Sequence, residues 1–464
     1  MALTFWHNYN LPLDGDLAAI VLPAPWYAPV LHDPFGWAVL AKHETYAATN
    51  RFFAHAEMGL YWKVMPRLLQ KVIDPISSLY LASALFTTLT QAGLLFLLAK
   101  YIELAVAAPR RHIWLIMALL VPFFQTATGG YEQMGITDRA ATYTFFYAVA
   151  MLLVLVLLWP FYQAAQQQRP LRLPLWRSAL LVALMVVVSF NGPVATATIA
   201  VWLLGIGVHW AWGQWQRWQA SRQVSFLASS WLSGQALLLL GILAGLSLYS
   251  LYVGRYNVEN SHTHTLPQLY KLLAEGSVKY LTYQAALPAL LLLLLFNFGL
   301  IRLVAEPSPA RQRVLATLGW IALFIVAYVA LLPFGGYRSY RPYLLRNDSV
   351  LPAVLGIVFA YGLSAYFLLA QLRGIGQRSY LLLVCLVGGA FLVADASQPD
   401  ESTNGCQRWS LDQLARAPEP VVELAPYCDV LSWGPIRNAP DSEFQAQLLE
   451  YWHITPTKKL YYQK

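Results

Sequence analysis

The chain has 464 residues, of which 58% are hydrophobic, 14% aromatic and only 12% charged. A soluble domain carries roughly 25% charged residues, so this composition, with a mean hydropathy of +0.48, excludes an ordinary soluble enzyme and points to the membrane class. The net charge of +8 is not a nucleic-acid signal, because the basic residues are spread over short loops, as the positive-inside rule expects.

In chain order, the first thirty residues have neither the basic start nor the apolar core of a cleavable signal peptide. Residues 50–73 predict an amphipathic helix. Phe52, Phe53, Leu60, Met65, Leu68, Leu69 and Val72 alternate with Arg51, His55, Glu57, Lys63, Arg67 and Lys71, which suits a helix lying flat in the membrane interface. Apolar runs follow at about 77–100, 113–130, 139–163, 178–190, 194–213, 224–253, 284–304, 315–334, 349–370 and 379–395. The expected fold is an all-α integral membrane protein with about ten transmembrane helices of ~20 residues each. Three segments follow: an outer loop over 1–75, a helical domain over 76–395 and a small soluble tail over 396–464. The fourth run is short and ends in Asn191-Gly192-Pro193. It reads as a short helix in a hairpin or as half of a broken one, an arrangement tolerated where it lines a cavity. Cys385 lies in an apolar run and is expected to be inert core. Cys406 and Cys428 fall in the tail, where an oxidising compartment would let them pair and close a loop of about twenty residues, worth roughly 3 kcal/mol.

Orientation comes from the short loops. Arg110 and Arg111, then Arg169, Arg172 and Arg177, then Arg217 and Arg222, then Arg311 and Arg313, then Arg373 and Arg378 alternate with the runs and belong to one face, the cytoplasm. That face holds only Glu103 and Glu306 as acids. Residues 1–75, the loops near 131–138, 254–283 and 335–348, and the tail are then extracytoplasmic. An N-terminus outside must be translocated, so a further transmembrane helix upstream of Met1 is expected, with Ala2-Leu3-Thr4-Phe5-Trp6 as its last turn.

Four clusters meet on the outer face. Asp14-Gly15-Asp16, followed by His32-Asp33 and His43-Glu44, places two carboxylates two residues apart. They could share a divalent cation, or one could act as a base while the other orients it; the bland reading is a turn. Tyr131-Glu132 with Asp138-Arg139 reads as a salt-bridged loop or as further acids on the same cavity. The loop from Arg255 to His264, with Asn257, Glu259, Asn260, His262 and His264, could cover a substrate. Tyr337-Arg338-Ser339-Tyr340-Arg341-Pro342-Tyr343, followed by Arg346-Asn347-Asp348, opens a transmembrane helix with three arginines. Arginine forks match phosphate oxygens, of a substrate or of a lipid headgroup. His55-Ala56-Glu57 is half of a zinc-deaminase pattern whose Pro-Cys-x-x-Cys half is missing. No Gly-rich phosphate loop, dinucleotide fingerprint or His-Glu-x-x-His motif appears. Few charges lie inside the runs, which argues against an ion pathway through the middle.

This layout resembles the GT-C class of polytopic membrane glycosyltransferases, which use lipid-phosphate-linked sugars. Asp14-Gly15-Asp16 stands at the place of that class's acidic motif, residues 50–73 at the place of its interfacial helix, and Arg338, Arg341 and Arg346 at the place of its phosphate-binding loops. The helix that precedes the acidic motif in that class has no counterpart here, and the large C-terminal domain of some members is replaced by a tail of about seventy residues. The resemblance implies sugar transfer from a polyprenyl-phosphate donor on the outer face of a bacterial cytoplasmic membrane. Asp14 or Asp16 would be the catalytic base and the candidate ligand pair of a divalent cation, Mg or Mn. Glu132, Asp138, Arg139, Arg255, Tyr337, Arg338, Arg341 and Arg346 would bind substrate. The expected partners are the lipid-linked donor and membrane lipids, with no nucleic acid. Two other readings stand beside it: a lipid or polysaccharide transporter or flippase subunit, and a non-catalytic scaffold that binds partners through its tail.

Overall fold

The computed structural model describes residues 1–106, 112–126, 129–221, 231–261, 263–303, 306–396, 404–424 and 428–463. Arg110, Arg111, Arg222 and His262, on which parts of the sequence reading rest, lie outside them. Among the described residues, eight helices are long and apolar enough to cross a membrane: Pro75–Val106, Ala141–Gln167, Pro193–Gln219, Gly234–Gly254, Ala286–Leu303, Pro309–Gly335, Asn347–Gln371 and Gly374–Ala396. The second and fourth apolar runs form shorter helices, Ile113–Phe123 and Leu175–Ser189. At 1.5 Å per residue the 15-residue helix Leu175–Ser189 is about 22 Å long, short of a ~30 Å hydrocarbon core.

The Asn347–Gln371 helix is the axis of the bundle, with 89% of its apolar window buried, whereas Pro309–Gly335, at 17%, lies on the outside. Around the axis pack Leu98 and Ile102 of Pro75–Val106, Leu119 and Leu120 of the short second helix, and Leu290 and Leu293 of Ala286–Leu303. Gly374–Ala396 is peripheral, at 28%, and for that reason Cys385 is exposed on its outer side rather than buried in core as the sequence suggested.

At the end of the bundle that carries the termini, the chain departs from a purely apolar plan. Ala2–Asn10 is helical, four residues beyond the Ala2–Trp6 turn expected. Leu11 is extended because Pro12 follows it. Thr4 and His7 face inward, and Gln91 donates to Thr4 Oγ1 at 3.1 Å. The amphipathic helix forms over Phe52–Leu69. Ala54, His55, Met58 and Trp62 are buried, while Leu60, Val64 and Leu68, one turn apart, leave an exposed apolar stripe suited to lipid. Residues 254–283, read as one polar loop, contain a helix at Leu266–Tyr283. Thr265 and Gln268 form its capping box with Pro267 in the first turn, a start signal present in the sequence.

The tail is docked on residues 1–75. Leu13, Leu17, Met58 and Trp62 share one apolar cluster with Leu411, Leu449, Trp452 and Tyr461. Trp452 Nε1–H donates to the Trp62 carbonyl at 2.8 Å. The tail holds the helices Gly405–Arg416 and Glu443–Tyr451 and a short parallel strand pair, β1 (Val421–Leu424) with β2 (Leu460–Gln463), a small exception to the all-α expectation. A disulfide joins Cys406 to Cys428. Trp452→Ala, which removes a fully buried ring and its hydrogen bond, should cost about 3–5 kcal/mol. The expected readout is a lowered Tm in detergent with early proteolysis within the tail; protection equal to wild type would refute this docking.

Candidate functional site

The two acids of the N-terminal triplet do different work. Asp14 is buried, and its carboxylate accepts the Thr142 backbone N–H at 3.0 Å, the Thr142 Oγ1–H at 2.7 Å and the Asp16 N–H at 3.2 Å. It therefore caps the unpaired amides at the start of the Ala141–Gln167 helix from outside that helix. Burial pushes its pKa up to about 6, moderated by the Thr142 bonds. Gly15 is required by close approach, since a Cβ there would lie 2.5 Å from the backbone nitrogen of Trp433. Asp16 is half-buried, and Trp433 Nε1–H donates to its Oδ1 at 3.0 Å. Burial raises its pKa, the Trp433 bond lowers it, and the charges of Glu259, Arg341 and Arg51 act on it across the site.

A polar cavity of about 130 Å³ lies beside this triplet, with Arg51, Tyr147, Arg338, Arg346 and Asp348 in its wall. Arg346 Nε donates to Asp348 Oδ1 at 2.8 Å, and Arg341 approaches Oδ2 at 3.5 Å. Arg341 also reaches the Tyr143 hydroxyl at 3.5 Å, and the Tyr143 ring stacks at 5.7 Å on Trp433, the partner of Asp16. Arg338 forms an ion pair with Glu259, which holds its pKa above the ordinary guanidinium value despite burial, and it donates to the Tyr340 hydroxyl at 3.0 Å. Tyr147 projects from a π-helical stretch, Thr144–Val149, and the charges of Asp348, Arg51, Arg346 and Arg338 converge on its hydroxyl. Such stretches recur where a helix must re-aim side chains at a site.

The cavity opens sideways. A groove of about 820 Å³ shares Asn50, Pro193, Ala197 and Tyr337 with it and continues along Ala200, Val201, Leu248 and Leu331. A further apolar groove of about 550 Å³ carries on from Ala200 and Leu248 to Ala211. From Pro193 to Ala211 the helix rises about 27 Å, close to the thickness of a hydrocarbon core. The turn at Asn191-Gly192-Pro193, where the Leu175–Ser189 helix gives way to Pro193–Ser221, stands at the head of this path.

The predicted site residues are sorted as follows. Arg338 and Arg346 line the cavity, Arg341 joins it through Asp348, and Asp16 stands outside its wall, within the fields of Arg341 and Arg51. Tyr337 is buried in its wall against His264, at 4.6 Å between rings, and Arg255 lies exposed at the rim of the wider groove. Asp138 is half-buried with its carboxyl tied down: it accepts from the Ala140 amide at 2.8 Å and from the Tyr131 hydroxyl. Burial lifts its pKa to about 7, and Asp348 and Asp14 add to the shift. Glu132 and Arg139 are exposed and line none of these cavities, with Arg139 lying over the Tyr131 ring at 4.5 Å. The loop from 255 to 264 is stitched down by Tyr46 pairing with Asn257 and by Ser261 donating to the Tyr337 carbonyl at 2.7 Å. His55 is neutral, its pKa pushed down to about 3 by burial and by Arg51. Sequence reasoning missed Arg51, Tyr147 and Trp433 as site residues; only Arg51, an arginine off the cytoplasmic loops, carried a signal.

A divalent cation on Asp14 and Asp16 is a poor fit to these donors. Both Asp14 oxygens are occupied by N–H and O–H groups and one Asp16 oxygen by Trp433. Among the described residues no three His, Cys, Asp or Glu side chains converge.

No protein-family model matches the chain, and neither a curated protein nor a solved structure matches it significantly.

The Asp138 carboxyl has a stability consequence with a definite sign. Its folded pKa, about 7, lies above the ordinary aspartate value of 3.8, so the folded protein retains a proton that the unfolded chain releases. Its contribution is complete below about pH 4 and is lost as pH rises toward 7. Asp138→Asn should flatten the fall in Tm between pH 4.5 and pH 7.5, and an unchanged slope would contradict the buried protonated carboxyl.

Proposed function

We propose that this chain is a membrane glycosyltransferase that moves a sugar from a polyprenyl-phosphate donor to an acceptor hydroxyl. The observation that carries the reading is the polar cavity, walled by Arg51, Arg338, Arg346 and Asp348, that opens sideways into a long apolar groove between helices. A phosphate-bearing headgroup with a long hydrocarbon chain has that same division of chemistry.

In this reading Asp16 is the base. Its Oδ1 is held by Trp433, leaving Oδ2 for the proton of the acceptor hydroxyl. Burial raises its pKa and makes it a better proton acceptor than a solvated carboxylate. As the hydroxyl oxygen bonds to the anomeric carbon, the bond from that carbon to the phosphate oxygen breaks and the electron pair leaves with the phosphate. The cavity's arginines stabilise that charge in a setting of low dielectric. Asp14 is a positioning residue, which sets Asp16 through Thr142 and the short Asp-Gly-Asp backbone. No step is routed through a metal.

The face that bears the termini is assigned to the extracytoplasmic side of a bacterial cytoplasmic membrane. Two observations support that: the arginine-rich loops on the opposite side and the Cys406–Cys428 disulfide, which an oxidising compartment sustains. Nucleotide sugars are absent from that side, which accords with a lipid-linked donor.

The test is transfer in proteoliposomes from a polyprenyl-phosphate sugar pool. Asp16→Asn should lower turnover by roughly 10²–10⁴ while the protein stays folded. Arg346→Gln, which removes the nearer of the two arginines on Asp348, should lower it less. Full turnover in Asp16→Asn removes the reading.

A further inference from the structure

The break between the Leu175–Ser189 and Pro193–Ser221 helices gathers polar groups that the protein leaves unserved. Arg51 is 8% exposed and lines the polar cavity, where its guanidinium carbon lies 4.7 Å from the Phe146 ring centroid and 5.8 Å from that of Tyr147. Among the described residues no acceptor takes its Nε–H and no carboxylate pairs with it; Asp16 acts on it only across the site. The other arginines of the cavity differ, since Arg338 has Glu259 while Arg341 and Arg346 share Asp348. Asn191, fully buried at the break, has both side-chain polar atoms without a partner among the described residues.

The helix adds to the imbalance. A Cβ on Gly192 would lie 3.2 Å from Arg51 Nε, so the guanidinium sits beside the N-terminus of the 29-residue helix Pro193–Ser221. Pro193, Val194 and Ala197 of its first turn line the same cavity. A helix N-terminus carries a partial positive charge of about +0.5. A buried cation beside it, without a counter-ion, is unfavourable on both counts, and buried charges are ordinarily paired. An anion in the cavity would meet both Arg51 and the helix start.

We propose that Arg51 and the first turn of Pro193–Ser221 form a phosphate site. Lipid-borne and free phosphate share this chemistry; the adjoining groove, which starts from Pro193 and Ala197, favours the lipid-borne form. The inference rests on the proposed transferase only in naming the phosphate as that of the sugar donor. In that role Arg51 receives the charge of the departing phosphate, while Arg338, Arg341 and Arg346 and their acids shape the pocket around it.

The experiment measures Tm of the full chain in a neutral detergent against decyl phosphate, inorganic phosphate and decanol. Decyl phosphate should stabilise the wild type and decanol should not. Stabilisation by inorganic phosphate at equal concentration would make free phosphate the ligand. Arg51→Met should weaken the effect by roughly thirtyfold or more. Its Tm without anion should stay at or above that of wild type, because an uncompensated charge is gone. Arg51→Lys should retain a weaker response. The proposal is overturned if neither phosphate stabilises the wild type, if Arg51→Met responds as wild type does, or if Arg51→Met unfolds without anion, which would make the guanidinium a structural support. Binding is read without turnover. A chain that binds decyl phosphate through Arg51 yet moves no sugar refutes the transferase alone, and transfer that survives in Arg51→Met refutes this site alone.

Discussion

The carboxylate of Asp14 on the first turn of the Ala141–Gln167 helix is the contact on which the geometry of this site depends. A helix start leaves backbone amides unpaired, and here Thr142 turns both its N–H and its hydroxyl toward one buried acid. The bond fixes the height of the N-terminal loop on the bundle. With Asp14 held, Gly15 lies against the backbone of Trp433 and Asp16 takes the Trp433 indole N–H, within the fields of Arg341 and Arg51. The same helix start supplies Tyr143, which stacks on Trp433, and Tyr147, on which the cavity's charges converge. One buried hydrogen-bonded acid thus joins the loop, the aromatic wall and the tail.

Among the described residues, Arg338, Arg341 and Arg346 are paired with carboxylates and Arg51 is not. Glu259 and Asp348 each hold arginines in place, which stabilises ions that would be costly to bury alone. Arg51 lines the same space with the rings of Phe146 and Tyr147 for company. The groove that leaves the cavity is lined by alanine, valine and leucine between helices that lie on the outside of the bundle. Polar head and apolar path therefore come from different parts of the chain: the loops and helix starts at one end, and the sides of Pro193–Ser221, Gly234–Gly254 and Pro309–Leu331.

The tail belongs to the site as much as to its own small core. Trp452 seats it on Trp62 of the interfacial helix, and the Cys406–Cys428 bridge ties the Gly405–Arg416 helix to the segment leading to Trp433. Sequence reading could treat residues 396–464 as a separate appendage because their apolar residues are scattered and carry no long period. What they pack against, Leu13, Leu17, Met58 and Trp62, lies some four hundred residues away in the chain.

Hydropathy and the period of the apolar residues determined the membrane class, the position of the long helices, the amphipathic Phe52–Leu69 helix and the break at Asn191-Gly192-Pro193, because each is a local property of twenty residues or fewer. Residue type also marked Asp16, Arg338, Arg341 and Arg346 as a candidate set. Tertiary structure alone decided the rest. It separated Asp14 from Asp16, tied down the Asp138 carboxyl, left Glu132 and Arg139 on the surface, brought Arg51 and Tyr147 to one cavity and set Trp433 on Asp16. Burial and pairing depend on which distant segment arrives to cover or to donate, and Thr142, which decides the fate of Asp14, is 128 residues away.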